Sequence, residues 1–407
     1  MAGRLPAIVI DSGTGYAVII TSSHIHVHPM NDRYTKLGFS SNNKPEFIPS
    51  VVAIKEEPNV GDEADRRLTI GIDVSVGEEA LSQSAHTVKY PIQHGVVEDW
   101  DLMRLYWEEC IYKYLKTKPE DHYFLVADPP LNTPENCESM AEIMFESFSV
   151  PGLCIAAQPV LALIASWASQ EVDERESTGI IIESGDCGTH CTPVVDHNVI
   201  KSCVQHISIA GRHITLYVQN VLRERESAIP PTQSLATAEA IKEQFCYVCP
   251  DIDTEFERYY SNPNEWMKKY SATNAITKQP FEVDVRFERF LGPELLFSPE
   301  SATPLSETVD NCIQNCPINV RPALYKNIVL SGGSTMFKNF GRRLQRDIQR
   351  IANRRADPME VRVVSHHTQR YAVWFGGSML TSTPQLESHF FTRAQYEEHG
   401  SSVWVSL

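Results

Sequence analysis

The 407-residue chain has no long apolar run and no excess of positive charge. Its longest apolar stretch, residues 159–168, falls far short of the ~20 residues a membrane-spanning helix requires. Lys and Arg number 36 against 52 Asp and Glu, a formal charge of −16. Such a chain repels nucleic acid and anionic membrane wherever no local patch reverses the sign. The one concentration of basic residues, 342–355, has helical spacing. Phe340, Leu344, Ile348 and Ile351 fall on its opposite side, so it reads as the solvated face of an amphipathic helix. A leader is also absent from the pattern: the first six residues run directly into the first predicted strand, which sets the expectation of no secretory signal. Cysteine is neither rare nor arranged as a framework. Ten scattered thiols point to a reducing, cytosolic setting. Cys246 and Cys249 together with Cys312 and Cys316 make two thiol pairs that could be gathered into a zinc site, but no His or acid completes either pair at ligand spacing. Core thiols are the simpler reading.

What the chain does have is ordinary globular composition, 42% hydrophobic and 22% charged, in a length sufficient for two or more domains. It also has an internal echo. Val9-Ile10-Asp11-Ser12-Gly13-Thr14-Gly15 and Ile181-Ile182-Glu183-Ser184-Gly185-Asp186-Cys187-Gly188-Thr189 lie 172 positions apart (183 − 11). Each is an apolar run that stops at a carboxylate and enters a turn of small residues. The run predicts a buried strand, and the turn exposes backbone N–H groups in a geometry suited to an anion. A third turn, Ser331-Gly332-Gly333-Ser334-Thr335-Met336, again follows an apolar strand and opens a helix, where glycine admits close backbone approach. Three such turns at strand ends predict a nucleotide site, with a hydrated metal between the two acids.

Strands are predicted at 7–11, 35–39, 48–54, 122–127, 179–183, 189–195, 199–206, 327–330 and 361–364. Helices are predicted at 99–115, 134–148, 211–225, 234–245, 337–351 and 371–380, with Thr133 and Pro134 as an N-terminal signal. The interleaving makes the class α/β, mixed sheets covered by helices. The apolar segment 157–169 reads as a hinge between residues 1–157 and 158–407, and 250–304 breaks the alternation like an inserted subdomain.

The residues then carry a resemblance. Gly95-Val-Val-Glu-Asp-Trp-Asp101, Pro129-Pro-Leu-Asn-Thr-Pro-Glu-Asn136, Glu142-Ile-Met-Phe-Glu-Ser-Phe148, Phe287-Glu-Arg-Phe-Leu-Gly-Pro-Glu294, Tyr325-Lys-Asn-Ile-Val-Leu-Ser-Gly-Gly-Ser-Thr-Met-Phe337 and Gln369-Arg-Tyr-Ala-Val-Trp-Phe-Gly-Gly-Ser-Met379 are similar to stretches of the actin superfamily, and the match runs almost end to end. The resemblance implies two similar lobes with ATP, and Mg²⁺ or Ca²⁺, in a cleft between them, the second lobe holding an inserted subdomain at about 212–304. It implies that Asp11, Gly13, Thr14, Gly15 and Lys36 hold the terminal phosphates, joined by Gly185, Asp186 and Gly188 of the second turn. Asp11 and Asp186, with Glu183 through water, would hold the metal. Lys242, Glu243, Gly332, Gly333, Met336 and Tyr371 match the family's adenosine contacts. Glu142 and His190 match positions that orient the attacking water, against the plainer readings of a helix-surface carboxylate and a structural histidine. The implied role is that of a structural, actin-nucleating subunit and at most a slow ATPase. Its partners would be other subunits of a complex, actin and nucleation-promoting factors, in the actin-rich cytoplasm and cytoskeleton. A phosphotransferase of the wider superfamily and a nuclear actin-related protein are the competing readings.

Three departures from the family pattern stand inside the phosphate motifs. Removing residues 17–34 would restore an uninterrupted first motif, so 18 residues are inserted there, with the boundary ambiguous by one because tyrosine stands at both 16 and 34. The insert contains His24, His26 and His28, a metal-binding pattern if extended; a retained in-frame intron and a looped-out insertion are the alternatives. It is expected to threaten the position of Lys36. In the second motif Glu183 replaces the usual Asp, and Cys187 occupies a position where glycine is usual.

Overall fold

A computed structural model describes residues 5–13, 34–54, 74–82, 87–93, 95–169, 175–300, 302–355, 359–383 and 389–400. Thr14, Gly15 and the histidines at 24, 26 and 28 lie outside them. The chain divides into two compact units: Met1–Ala165 with Tyr371–Leu407, and Ser166–Arg370.

Each unit is built around one mixed sheet, and the two sheets repeat one topology. In the first, Ile8–Ser12 pairs antiparallel with Tyr34–Phe39 on one side and parallel with Phe124–Asp128 on the other, which pairs parallel with Gly152–Ala157. In the second, Gly179–Ser184 pairs antiparallel with Thr189–Val195 and parallel with Ile328–Ser331, which pairs parallel with Val363–Val364. The echo between the two sequence motifs is thus an echo of central strands. Both strands are continuous apolar runs because they are covered on both faces: Ile8, Val9 and Ile10 are fully buried, as are Ile180 and Ile182.

Helices supply the cover. Gly211–Arg225, Ser234–Phe245 and Phe340–Ala352 bury Ile214, Val218, Ile241, Leu344 and Ile348 in the second core. Met103, Tyr106 and Trp107 of Trp100–Glu109 do so in the first. That helix runs on into a wider turn over Cys110–Leu115, as Pro134–Glu142 does over Ile143–Ser147.

Three expectations change. The strand expected over 48–54 is two, Glu46–Pro49 and Val52–Ile54, in different sheets; Pro49 lacks the N–H to continue a ladder. The strand expected over 199–206 is a short pair, a 3₁₀ turn at Lys201–Cys203 and a separate strand, Gln205–Ile207. The C-terminal part, read from sequence as continuing the second half, packs with the first unit: Phe391–Thr392 pairs antiparallel with Gly152–Ala157. The Ala372–Thr381 helix lies so close that a Cβ on Gly376 would stand 1.8 Å from the Leu161 carbonyl oxygen.

Candidate functional site

In the first unit the site grows from the end of the central strand. Asp11 is the penultimate residue of Ile8–Ser12 and faces Lys36 in register across the antiparallel pair. Opposed residues of such a pair share a face, so the lysine reaches the acid: Nζ lies 2.8 Å from Asp11 Oδ2. Gln158, at the start of the Gln158–Ser166 helix, donates to Asp11 Oδ1 at 3.3 Å. Both carboxylate oxygens are thereby fixed on a residue only 1% exposed. Lys36 keeps its register with Asp11, because the strand carrying it starts at Tyr34 and pairs along its length. Gly13 donates its N–H to the Tyr34 carbonyl at 3.2 Å, closing the hairpin across the insert. A Cβ at Gly13 would lie 2.2 Å from that same carbonyl oxygen, so glycine is required by this close approach. Next to it, the buried Ser12 hydroxyl has no hydrogen-bond partner among the described residues.

The second unit builds its counterpart from three elements. Glu183 is the penultimate residue of Gly179–Ser184, and its register partner is His190. Where the first motif opposes its acid with a lysine, the second opposes it with an imidazole. Burial, and then the neighbouring His206 whose ring centroid is 4.7 Å away, pushes the His190 pKa down to about 4. His190 is therefore neutral at pH 7. The turn after Ser184 is fastened from two sides, because the Gly185 carbonyl accepts from Gly211 N–H at 3.1 Å and from Ser334 Oγ at 2.6 Å. Arg212 N–H donates to the Asp186 carbonyl at 2.8 Å. The second turn, the N-terminus of Gly211–Arg225 and the Gly333–Met336 turn thus meet at one carbonyl. Gly332 has a φ of +91°, and a Cβ there would lie 2.3 Å from the Ser184 carbonyl oxygen. Gly185 and Gly333 face open space, with nothing within 4 Å of where a Cβ would stand.

The remaining expected residues divide. Lys242 is buried and reaches the Gly211 carbonyl at 3.5 Å, on the same assembly. Met336 is half exposed beside Gly333. Gly188 is held close to His206, whose Nε2 would be 2.7 Å from an added Cβ. Glu243 is exposed on its helix, and Glu142, the last residue of Pro134–Glu142, is exposed as well. Tyr371 belongs to the first unit, where its ring meets those of Phe47 and Phe375. Cys187 does not adopt a positive φ, so the turn does not call on glycine's freedom there; its thiol is buried and donates to Asp186 Oδ2 at 3.4 Å. Sequence reasoning missed Gln158, Ser12 and Ser334. Ser12 and Ser334 stood inside quoted motifs, but nothing local signals that a glutamine 147 positions away reaches Asp11.

The two thiol pairs do not meet. Cys246 and Cys249 donate to the Glu288 carbonyl and the Glu294 carboxylate, whereas Cys312 donates to the carbonyls of Cys191 and Cys203. Among the described residues no group of three or more His, Cys, Asp or Glu could hold a metal by itself.

The Actin family profile matches residues 30–406. Actin-related protein 3 of Drosophila melanogaster is 55% identical over 425 aligned positions, covering 99% of this chain and 97% of the fly protein. Actin-related protein 3 of Caenorhabditis elegans is 53% identical over 430 positions, with the same coverage of each chain. With a family match across most of its length and relatives at this identity, the chain belongs to the actin family.

Proposed function

We propose that this chain acts as the actin-related protein 3 subunit of the actin-related protein 2 and 3 complex, binding ATP and helping to nucleate branched actin filaments by mimicking a filament barbed end. The observation that carries this is identity above one half across 99% of the chain to two actin-related protein 3 sequences. Its partners in this reading are the other complex subunits, actin and nucleation-promoting factors, in the cytoplasmic actin cytoskeleton.

The residues suit ATP with Mg²⁺ or Ca²⁺. Lys36 and the N–H groups after Asp11 would take terminal phosphates, with the Ser12 hydroxyl available as a further partner. Asp11 and Asp186, and Glu183 through water, would hold the cation's hydration shell. Gly185 and Gly333 leave backbone open to close approach, and Lys242 with Met336 would flank the adenosine. A bound nucleotide would supply the negative charge to which backbone N–H groups of such turns are suited. Glu142 and His190 are the proposed water-orienting pair; a neutral His190 can accept a proton or a hydrogen bond but adds no charge. Hydrolysis in this reading is slow and serves as a timer on assembly.

Affinity capture of a tagged chain from cytosol, followed by mass spectrometry, tests the proposal. Co-purification of actin-related protein 2 and the smaller subunits is the expected result; recovery without any of them overturns it. Lys36→Ala should weaken ATP binding at least tenfold, about the value of one charge-assisted contact to phosphate, and should also lower stability, because it removes the ion-pair partner of the buried Asp11 carboxylate.

A further inference from the structure

A row of three side chains crosses the sheet of the second unit beside its glycine turn. Glu183 of Gly179–Ser184 faces His190 of Thr189–Val195, and His190 faces His206 of Gln205–Ile207, each in antiparallel register. Directly opposed residues of such pairs share a face, so all three stand on one side of the sheet. The two imidazoles meet, with ring centroids 4.7 Å apart and planes tilted by 40°. His206 is exposed, which opens one end of the pair to solvent. Its Nε2 would lie 2.7 Å from a Cβ on Gly188, so that glycine leaves the ring its place.

Structural histidines in this chain look different. His122 has one ring nitrogen 2.8 Å from the Thr117 hydroxyl and the other 2.8 Å from the Pro6 carbonyl. His366 likewise bonds at both nitrogens, to the Thr368 hydroxyl at 2.7 Å and the Leu330 carbonyl at 3.1 Å. Both rings are buried and fully used. His190 and His206, by contrast, make no hydrogen bond through their rings among the described residues. Loss of water lowers the pKa of each, so at pH 7 both are neutral and each keeps an unshared electron pair on one nitrogen. Two such rings side by side, without partners, are a chelating pair and not a packing pair alone.

We propose that His190 and His206 chelate a first-row transition-metal dication, with Zn²⁺ the ion expected, in an exchangeable site completed by water. Imidazole suits Zn²⁺, Ni²⁺ and Cu²⁺, whereas the hard Mg²⁺ and Ca²⁺ take oxygen. Nitrogens roughly 2.1 Å from a tetrahedral zinc stand about 3.4 Å apart, within reach of two rings whose centroids are 4.7 Å apart. Glu183 does not extend the set, since no three such groups converge among the described residues. With two protein ligands the site loads as free metal rises and empties as it falls, unlike a structural centre with four or a catalytic one with three. It lies wholly within the second unit and requires no nucleotide, so it stands or falls independently of ATP binding.

Equilibrium dialysis of the full chain against Zn²⁺ alone, without nucleotide, tests the site. His24, His26 and His28 are a competing set, so the parent for this experiment carries His24→Ala, His26→Ala and His28→Ala. The expected result is one saturable zinc per chain, not displaced by excess Mg²⁺. His206→Gln should lower the affinity by at least about tenfold, since even the outer partners of metal ligands cost that much. His197→Asn, on an exposed turn of the same unit, should leave it unchanged. Zinc should also raise the unfolding temperature of the parent more than that of His206→Gln, because a ligand that binds only the folded chain stabilises it. His206 is exposed, so its replacement spares the core; if His190→Gln fails to fold, His206→Gln decides. Equal zinc affinity in parent and His206→Gln overturns the proposal, which would assign any bound zinc to thiols or to the acids of the turns. So does an absence of saturable zinc binding, or displacement of the zinc by Mg²⁺.

Discussion

At single residues, burial decides which imidazole stays neutral and which polar groups need partners. His366 is buried between the Leu330 carbonyl at 3.1 Å and the Thr368 hydroxyl at 2.7 Å, next to the third glycine turn. Burial pushes its pKa down to about 4, against ~6.5 in an unfolded chain. Between those values the unfolded chain binds more protons than the folded one. His366 therefore costs no stability above about pH 6.5 and progressively more as pH falls toward 4, at most about 2 kcal/mol by pH 5. His366→Gln, which keeps a donor for Leu330, should flatten that limb when urea unfolding is measured from pH 7.5 to 5. An unchanged slope would show that His366 is not the group responsible. Asp11, buried as well, is bonded at both carboxylate oxygens, which is how a buried polar group is tolerated.

At the scale of elements, Arg225 at the end of its helix and Glu288 at the start of Glu288–Glu294 form a bidentate pair, with bonds at 2.8 and 3.3 Å and the glutamate fully buried. Arg225→Met should cost about 3–5 kcal/mol in urea unfolding by stranding a buried carboxylate, and adding Glu288→Met should recover most of it. No recovery in the double variant would mean that packing, not charge, holds the helices there. The first hairpin invites a different experiment. Its register survives the insertion, so deleting residues 17–34 should change stability by only about 1–2 kcal/mol of loop closure while strengthening ATP binding. Equal affinity in the two forms, by calorimetry, would dismiss the insert as a disturbance of the site. The same hairpin marks what the sequence made legible. Central strands and their acids were readable because apolar runs ending in small-residue turns are local signals, and the helices 211–225 and 234–245 agree with the structure to the residue. Gln158's bond to Asp11 was not readable, because it joins residues 147 positions apart; the break after Pro49 has a local cause in the proline, which an apolar run masks.

At the scale of the whole chain, the first unit is completed by residues that come last. The Ala372–Thr381 helix buries Trp374 completely and sets Gly377 against Val9, where a Cβ would lie 2.8 Å from the Val9 Cγ1. A chain ended after Arg370 should lose hydrogen-exchange protection across the described residues of 5–165 while keeping it across 175–355, because the second unit is continuous in sequence and the first is not. Protection retained in both regions would contradict this dependence. The same arrangement has a consequence on the ribosome. Once residue 165 is made, 205 more (370 − 165) must be added before the missing helix is available, a delay of roughly 10–40 s at ~5–20 residues per second. During that interval the Gly152–Ala157 strand lacks its Phe391–Thr392 neighbour, and an unpaired strand edge invites other chains. Synthesis of this protein thus contains a built-in waiting period in which the nascent N-terminal half needs shelter, and slowing translation between codons 166 and 370 should increase its loss to aggregation.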